Sequence, residues 1–206
     1  GVVSALMLLA VAIALVLAAA VAAAQLIIAA RQPIVRLAIT NAAPELPLTS
    51  RQEWHLFLSH VWRTAQDSCN AIKRNLQLLL PGVSIFLDTD DIGGAVGDLE
   101  KHVEAAAVIN IFVSKGYFMS KNCLREARET VKRQKPLTLV FDPVWGAQGR
   151  SLDDLKNDEC PDELRPFIFD HGREVITWHR VKDFQLVTLR QLAEKMLQLG
   201  CADQVY

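Results

Sequence analysis

The sequence lacks the side-chain patterns that would announce a metal, a bound dinucleotide or a nucleic acid. Its four cysteines, Cys69, Cys123, Cys160 and Cys201, form no CxxC pair and have no histidine at zinc-ligand spacing. That excludes a zinc knuckle or dithiol motif and leaves reduced thiols as the expectation. No GxxxxGK[ST] and no GxGxxG occurs, so P-loop and dinucleotide fingerprints are both missing. With 22 basic and 23 acidic residues the formal net charge is −1, and no dense Lys/Arg stripe interleaves with aromatics. Nucleic acid is therefore not an expected partner. There is no internal repeat, and the one biased tract is an Ala/Val/Leu-rich run at the start of the chain.

That run, residues 2–30, lacks charge altogether, and Ser4 and Gln25 are its only polar side chains. A signal-peptide apolar region is about 7 to 15 residues long, whereas about 20 suffice to cross a bilayer core. A buried core helix would need a polar flank or surrounding elements, but residues 31–52 read as a linker carrying Pro33, Pro44 and Pro47. The expectation is one transmembrane helix that anchors the chain to a membrane. Arg31 and Arg36 follow it directly, and cytoplasmic flanks carry the excess of Lys and Arg, so a single-pass protein with its domain in the cytosol is expected. The chain opens on Gly1 rather than Met, as a piece of a longer protein would.

From residue 53 to 200, short apolar runs alternate with amphipathic stretches, the pattern of βαβ units around a parallel sheet; residues 201–206 form a tail. The strands predicted are His55–Ser59, Val83–Leu87, Val108–Val113, Leu137–Phe141 and Glu174–Trp178. Each is short and largely apolar, as strands covered on both faces must be. A first helix is predicted over Asp67–Leu80, where Cys69, Ile72, Leu76, Leu79 and Leu80 share a face and Pro81-Gly82 stops it. A second begins near Asp98 as cap, with Leu99, Val103 and Ala106 inward, and a third covers Lys121–Arg133. The last is capped by Asp183, closed by Gly200, and turns Leu186, Leu189, Ala193 and Met196 inward. Between Val144 and Asp170 only a capping box at Ser151 and Asp154 stands out.

In an open parallel sheet, ligands bind beyond the carboxyl ends of the strands, near the point where strand order reverses. Polar groups stand at those ends: Ser59 and His60, Asp88, Ser114 and Lys115, Asp142, and His179. A flavodoxin-like order would bring Ser59, His60 and the helix after Ser114 to one crevice, although strand ends also turn polar simply by emerging into solvent. A phospho-receiver needs an Asp where Ser114 stands, which removes that reading. Asp88, Asp90 and Asp91 lack EF-hand spacing and read as a solvated loop.

In order along the chain, His55-Leu-Phe-Leu-Ser-His60, Val83-Ser-Ile-Phe-Leu-Asp88 with its acidic, glycine-bearing loop, Ile109-Asn-Ile-Phe-Val-Ser114, Tyr117 and Ser120-Lys-Asn-Cys-Leu-Arg-Glu126 resemble the Toll/interleukin-receptor (TIR) domains. The last segment is similar to the family's Ser-x-x-Cys-Leu-x-Glu. The resemblance implies a five-stranded, flavodoxin-like parallel sheet with flanking helices and association with itself and other TIR domains in innate-immunity-like signalling. The loop from Asp88 to Asp98, with Ile92 as its apolar side chain, is one implied contact surface. In some branches the resemblance further implies cleavage of NAD, as substrate rather than cofactor, to nicotinamide and linear or cyclic ADP-ribose. The alternative function is a non-catalytic adaptor.

Glu126 matches the carboxylate of that cleavage, and Ser59, His60, Trp62, Arg63, Asp88, Ser114 and Cys123 are the candidate NAD contacts. On a helical wheel Cys123, Leu124, Ala127, Thr130 and Val131 fall on the buried arc with Glu126 at its edge, where a carboxylate can face a cleft rim; Glu129 falls on the solvent face. Glu126 also reads as an ordinary helix glutamate paired with Arg133, Arg125 or Lys121. Trp62 reads equally as a stacking ring or a surface residue, and Cys123 as packing rather than as a nucleophile. No metal site is expected, and His102, His171 and His179 carry no ligand spacing.

Overall fold

The computed structural model describes residues 2–30, 34–87, 99–143, 150–170 and 172–200. Asp88, the loop from Asp88 to Asp98 with Ile92, the expected cap at Asp98, and the tail with Cys201 lie outside the described residues.

Helix α1, Val2–Ala30, belongs to a compact unit of its own, Gly1–Ile34. Among the described residues no helix is long and apolar enough to cross a membrane. The expected single-pass anchor, and the membrane location with a cytosolic domain that followed from it, are corrected accordingly.

The second unit, Val35–Tyr206, holds the sheet. Its elements are β1 (Trp54–Ser59), α2 (Trp62–Leu79), β2 (Ile85–Phe86), α3 (Leu99–Ala105), β3 (Ala106–Val113), α4 (Lys121–Lys132), β4 (Leu137–Phe141), β5 (Val175–Thr177) and α5 (Lys182–Gly200). The five strands are parallel and ordered β2-β1-β3-β4-β5. The parallel sheet is the one expected from the alternation of apolar runs and amphipathic helices, and its flavodoxin-like order is the one the resemblance implies. The stretch from Val35 belongs to this unit as well: Val35, Leu46 and Leu48 pack on the core, and the Val35 amide donates to Leu79 O at 2.9 Å.

Alternation along each strand sorts the core into two layers. Leu56, Leu58, Val108, Phe112 and Val140 pack with α2 and α5, whereas Phe57, Ile109, Ile111, Val113 and Leu139 face the side that holds Val103 of α3 and Ala127 of α4. All eight residues of β3 are buried, as the central strand of a doubly covered sheet requires. Burial also sets thiol chemistry. It pushes the Cys69 thiol up, and that of Cys160 to about 12, so both are protonated at neutral pH.

Several boundaries differ from the sequence expectation. Helix α2 begins at Trp62, five residues before Asp67. Its N-cap is Val61, in extended conformation with no side-chain cap bond, so the Ser/Thr/Asp/Asn signature of a helix start is missing. Ala106 is the first residue of β3, paired with Trp54, because α3 passes directly into the strand. Asp183 lies inside the first turn of α5, and Leu186 is 51% exposed; the buried stripe begins one turn later with Thr188, Leu189, Leu192, Ala193 and Met196. The Ser151 and Asp154 capping box is formed, with Asp154 N donating to Ser151 Oγ at 3.1 Å and Ser151 N to Asp154 Oδ2 at 3.0 Å.

Ile72 is fully buried in the α2 layer, and Leu78 on the same helix is 52% exposed. Ile72→Ala should cost about 2–5 kcal/mol by lost transfer energy and a residual cavity. Leu78→Ala should stay within about 0.5 kcal/mol. Equilibrium urea unfolding measures both, and equal costs would show that α2 does not pack in this register.

Candidate functional site

The strand order reverses at β1, which has β2 on one side and β3 on the other, so the carboxyl ends of β1 and β3 form the crevice where open α/β sheets bind ligands. Ser59 ends β1 and is 1% exposed; His60 follows it, and Ser114 follows β3. The turn after Ser114 is made by Gly116, whose φ of +82° suits a residue without a Cβ. Its amide donates to Glu159 Oε2 at 2.9 Å, and the Tyr117 amide donates to Ser114 O at 3.0 Å. Ser120 then caps α4, its hydroxyl accepting from Cys123 N at 3.5 Å. This start fixes the rotation of α4, and it carries Cys123 and Glu126, one turn apart, inward.

The side chains meet in a chain of hydroxyls ending on a carboxylate. Ser59 Oγ donates to Glu126 Oε2 at 2.5 Å, and the Tyr117 hydroxyl bonds the same Ser59 oxygen. A serine hydroxyl has one proton, so with that proton on Glu126 the phenol of Tyr117 is the donor to Ser59. Burial holds the Tyr117 phenol well above its ordinary pKa, the neighbouring Cys123 and Glu126 adding to it and the Ser59 bond opposing it. The phenol therefore stays a donor across the neutral range. Beside this chain, Cys123 Sγ donates to His60 O at 3.3 Å, His60 Nε2 to Gln66 Oε1 at 2.5 Å, and Thr64 Oγ1 and Ser114 Oγ lie 2.9 Å apart.

Ser59, His60, Ser114, Cys123 and Glu126 thus come together. Glu126 is only 4% exposed, which corrects the expected placement at a cleft rim: its carboxylate turns inward to Ser59 at the end of β1. Cys123 is buried as a packing residue would be. Trp62 and Arg63 stand apart from this cluster. They line a cleft of about 420 Å³ together with Thr64, Gln66, Trp178 and Arg180. The sequence reading missed the Tyr117 hydroxyl as a site group. The available signal was its place among the residues that carry the TIR resemblance, three before the Ser120 cap. It also missed Thr64 and Gln66, for which a helix starting at Asp67 left no place.

Glu129 needs a correction too, because it is 6% exposed rather than on the solvent face. Arg133 Nε donates to its Oε1 at 2.5 Å and Lys132 Nζ to its Oε2 at 3.2 Å, while Arg133 also reaches Glu104 of α3 at 2.9 Å. Helix α3 lies against α4 and covers this face, which a wheel drawn for α4 alone does not show. Burial raises the Glu129 carboxyl, but the hydrogen bonds from Arg133 and Lys132 outweigh it and leave the group below its usual value.

A carboxyl lowered on folding stabilises the fold above its unfolded pKa of about 4.3. That stability is lost as pH falls through the depressed folded value. Urea midpoints measured from neutral pH to pH 3 should therefore fall more for the wild type than for Glu129→Gln, and parallel profiles would exclude this linkage. At neutral pH Glu129→Gln should cost about 1.5–3 kcal/mol, the range for losing a hydrogen bond to a charged group.

No family model matches the chain, and no curated protein matches it. Solved structures do. The TIR domain of a Toll-related receptor from Hydra magnipapillata is 14% identical, with 70% of this chain and 98% of that one covered and a TM-score of 0.47. The TIR domains of the activated Roq1 resistosome, which directly recognises the pathogen effector XopQ, are 15% identical, with 70% and 99% covered and a TM-score of 0.48. A metazoan TIR-STING receptor from C. gigas, solved with 2',3'-cGAMP, is 14% identical over 71% of this chain and 41% of its own, with a TM-score of 0.50. The last match carries the assignment: the sheet and its flanking helices have a TIR-like fold.

Proposed function

We propose that this chain is a TIR signalling module that works by association of TIR domains, and that on association it cleaves NAD between nicotinamide and ribose with Glu126 as the carboxylate. One observation carries the catalytic part: a glutamate placed by the Ser120 cap at the switch point of the sheet, desolvated and hydrogen-bonded by Ser59. As the bond to nicotinamide stretches, the ribose gains positive character and the leaving group departs as a neutral ring, so no strong nucleophile is required: water adds to the ribose carbon and loses a proton, giving ADP-ribose. A carboxylate fixed in a water-poor site stabilises that charge far better than one in bulk water, because its dipolar surroundings are already arranged. Ser59 holds that oxygen in place, and Tyr117 in turn holds Ser59.

The burial of Glu126 supports coupling between cleavage and assembly. With the carboxylate 4% exposed, substrate reaches it only after the surrounding side chains move, and contact between protomers is the event assigned to that movement. The same burial favours the adaptor as the second reading, in which Ser59, Tyr117 and Glu126 merely tie α4 to the sheet.

Nicotinamide release by the purified protein should rise more steeply than in proportion to protein concentration. Glu126→Gln should lower it by about 10²–10³, the loss typical of one transition-state electrostatic contact, with the fold retained by circular dichroism. Arg128→Gln, on the same helix in an exposed pair with Glu163, should leave the rate unchanged. Wild-type protein that releases no nicotinamide at any concentration would make the adaptor the better reading.

A further inference from the structure

Residues 150–170, between β4 and β5, reach the end of β3 through one side chain. They hold two π-helical turns, Leu155–Glu159 and Pro166–Asp170. The first is closed by the Cys160 amide donating to Leu155 O at 3.0 Å, one residue wider than an α-helical turn, a form frequent at functional sites. Arg165 grips its carbonyls: Nε donates to Lys156 O at 2.8 Å, and Nη2 to Asn157 O and Cys160 O, each at 3.1 Å. On its apolar side Leu155 and Cys160 pack in the core layer that holds Tyr117 and Phe118. Clamped on one side and packed on the other, the turn fixes its last residue, Glu159, whose side chain is only 9% exposed.

That carboxylate accepts from the Gly116 amide at 2.9 Å, across 43 residues of sequence. Gly116 is where the chain leaving β3 turns, and its carbonyl accepts from the amides of Met119 at 3.1 Å and Ser120 at 2.9 Å. One residue therefore ties the turn forward to the cap of α4 and sideways to Glu159. A glycine at φ +82° has no Cβ to hold it there, so a bond from outside the turn has to select the conformation. A carboxylate does this well, because a hydrogen bond to an ionised acceptor is short, strong and directional. Tyr117 is the next residue, with its hydroxyl on Ser59, and Ser120 starts the helix that carries Glu126. We infer that Glu159 is a positioning residue for the Glu126 site: by fixing the turn at Gly116 it sets the Tyr117 hydroxyl on Ser59 and, through Ser59, the Glu126 carboxylate.

The effect on turnover rests on the catalytic reading of Glu126, whereas the effect on Tyr117 does not, and the test reads both. Tyr117 and Tyr206 are the two tyrosines, so in the full chain carrying Tyr206→Phe a carbon-labelled tyrosine ring reports Tyr117 alone by NMR. With Glu159 in place the buried phenol should stay protonated past its ordinary value of about 10. Glu159→Leu, which removes the acceptor, should bring its ionisation down toward that value. Glu159→Gln, whose amide oxygen still accepts, should keep the wild-type profile. Arg165→Met loosens the turn with Glu159 retained and should shift the profile the same way, which preserves the test if Glu159→Leu does not fold. In nicotinamide release Glu159→Leu should lower kcat about tenfold to a hundredfold, the loss from a small misplacement remote from the chemistry, with KM unchanged and Gln restoring the rate. A Tyr117 profile unmoved by both Glu159→Leu and Arg165→Met would overturn the inference, as would equal losses in Glu159→Gln and Glu159→Leu. A shifted profile in a protein that releases no nicotinamide would retain Glu159 as positioning Tyr117 and remove the catalytic role of Glu126; release with an unmoved profile would do the reverse.

Discussion

Five parallel strands covered on both faces leave their polar backbone and side chains only one outlet, the edge where the strands end. Every residue of β3 is buried, and β1 is buried from His55 to Ser59, so a hydroxyl or carboxylate in this unit is either at that edge or must be paired inside. Asn110 shows the cost of the alternative. At the middle of β3 its amide donates to Thr138 Oγ1 at 2.9 Å, and its carbonyl oxygen has no partner among the described residues. The groups at the strand ends are arranged more fully: Tyr117 bonds Ser59, Ser59 bonds Glu126, and Cys123 and Gln66 are tied in through His60.

Helix α4 carries two buried glutamates three residues apart, and their surroundings differ. Glu129 is gripped by Arg133 and Lys132 on the face toward α3, an arrangement that stabilises a charge and holds two helices together. Glu126 faces the strand ends, where the hydroxyl of Ser59 meets it. Three residues of α-helix turn a side chain by about 300°, so neighbours on one face of a wheel can meet different elements. That rotation separates an ion pair of structural kind from a carboxylate at the sheet's switch point.

The cleft beside α2 depends on a different consequence of the same architecture. Because α2 and α5 cover the same face of the sheet, the first turn of one stands near the start of the other. Trp62, Arg63 and Arg180, far apart in sequence, therefore line one space. Asp142, at the end of β4, reaches into the same region and orients Arg180.

Much of this was legible in the sequence because it repeats with a period. Apolar runs of strand length, the α2 stripe from Cys69 to Leu80 and the Ser120 to Glu126 motif specify the sheet, the inward faces and the placing of Glu126 on a helix after the third strand. Composition could not decide the burial of Glu126 and Glu129, the start of α2 at Trp62 or the pairing of Arg180 with Asp142. Each of these depends on what a second element covers: α3 lying on α4, Val61 extended at the end of β1, the end of β4 beside the start of α5. The apolar N-terminal run shows the same limit from the other side, since its hydropathy was plain and a crossing of the membrane is not found among the described residues. Periodicity records how one element meets the core, because it is written into that element's own residues. Contacts between elements are set by the packing of the whole chain, and only the tertiary structure decides them.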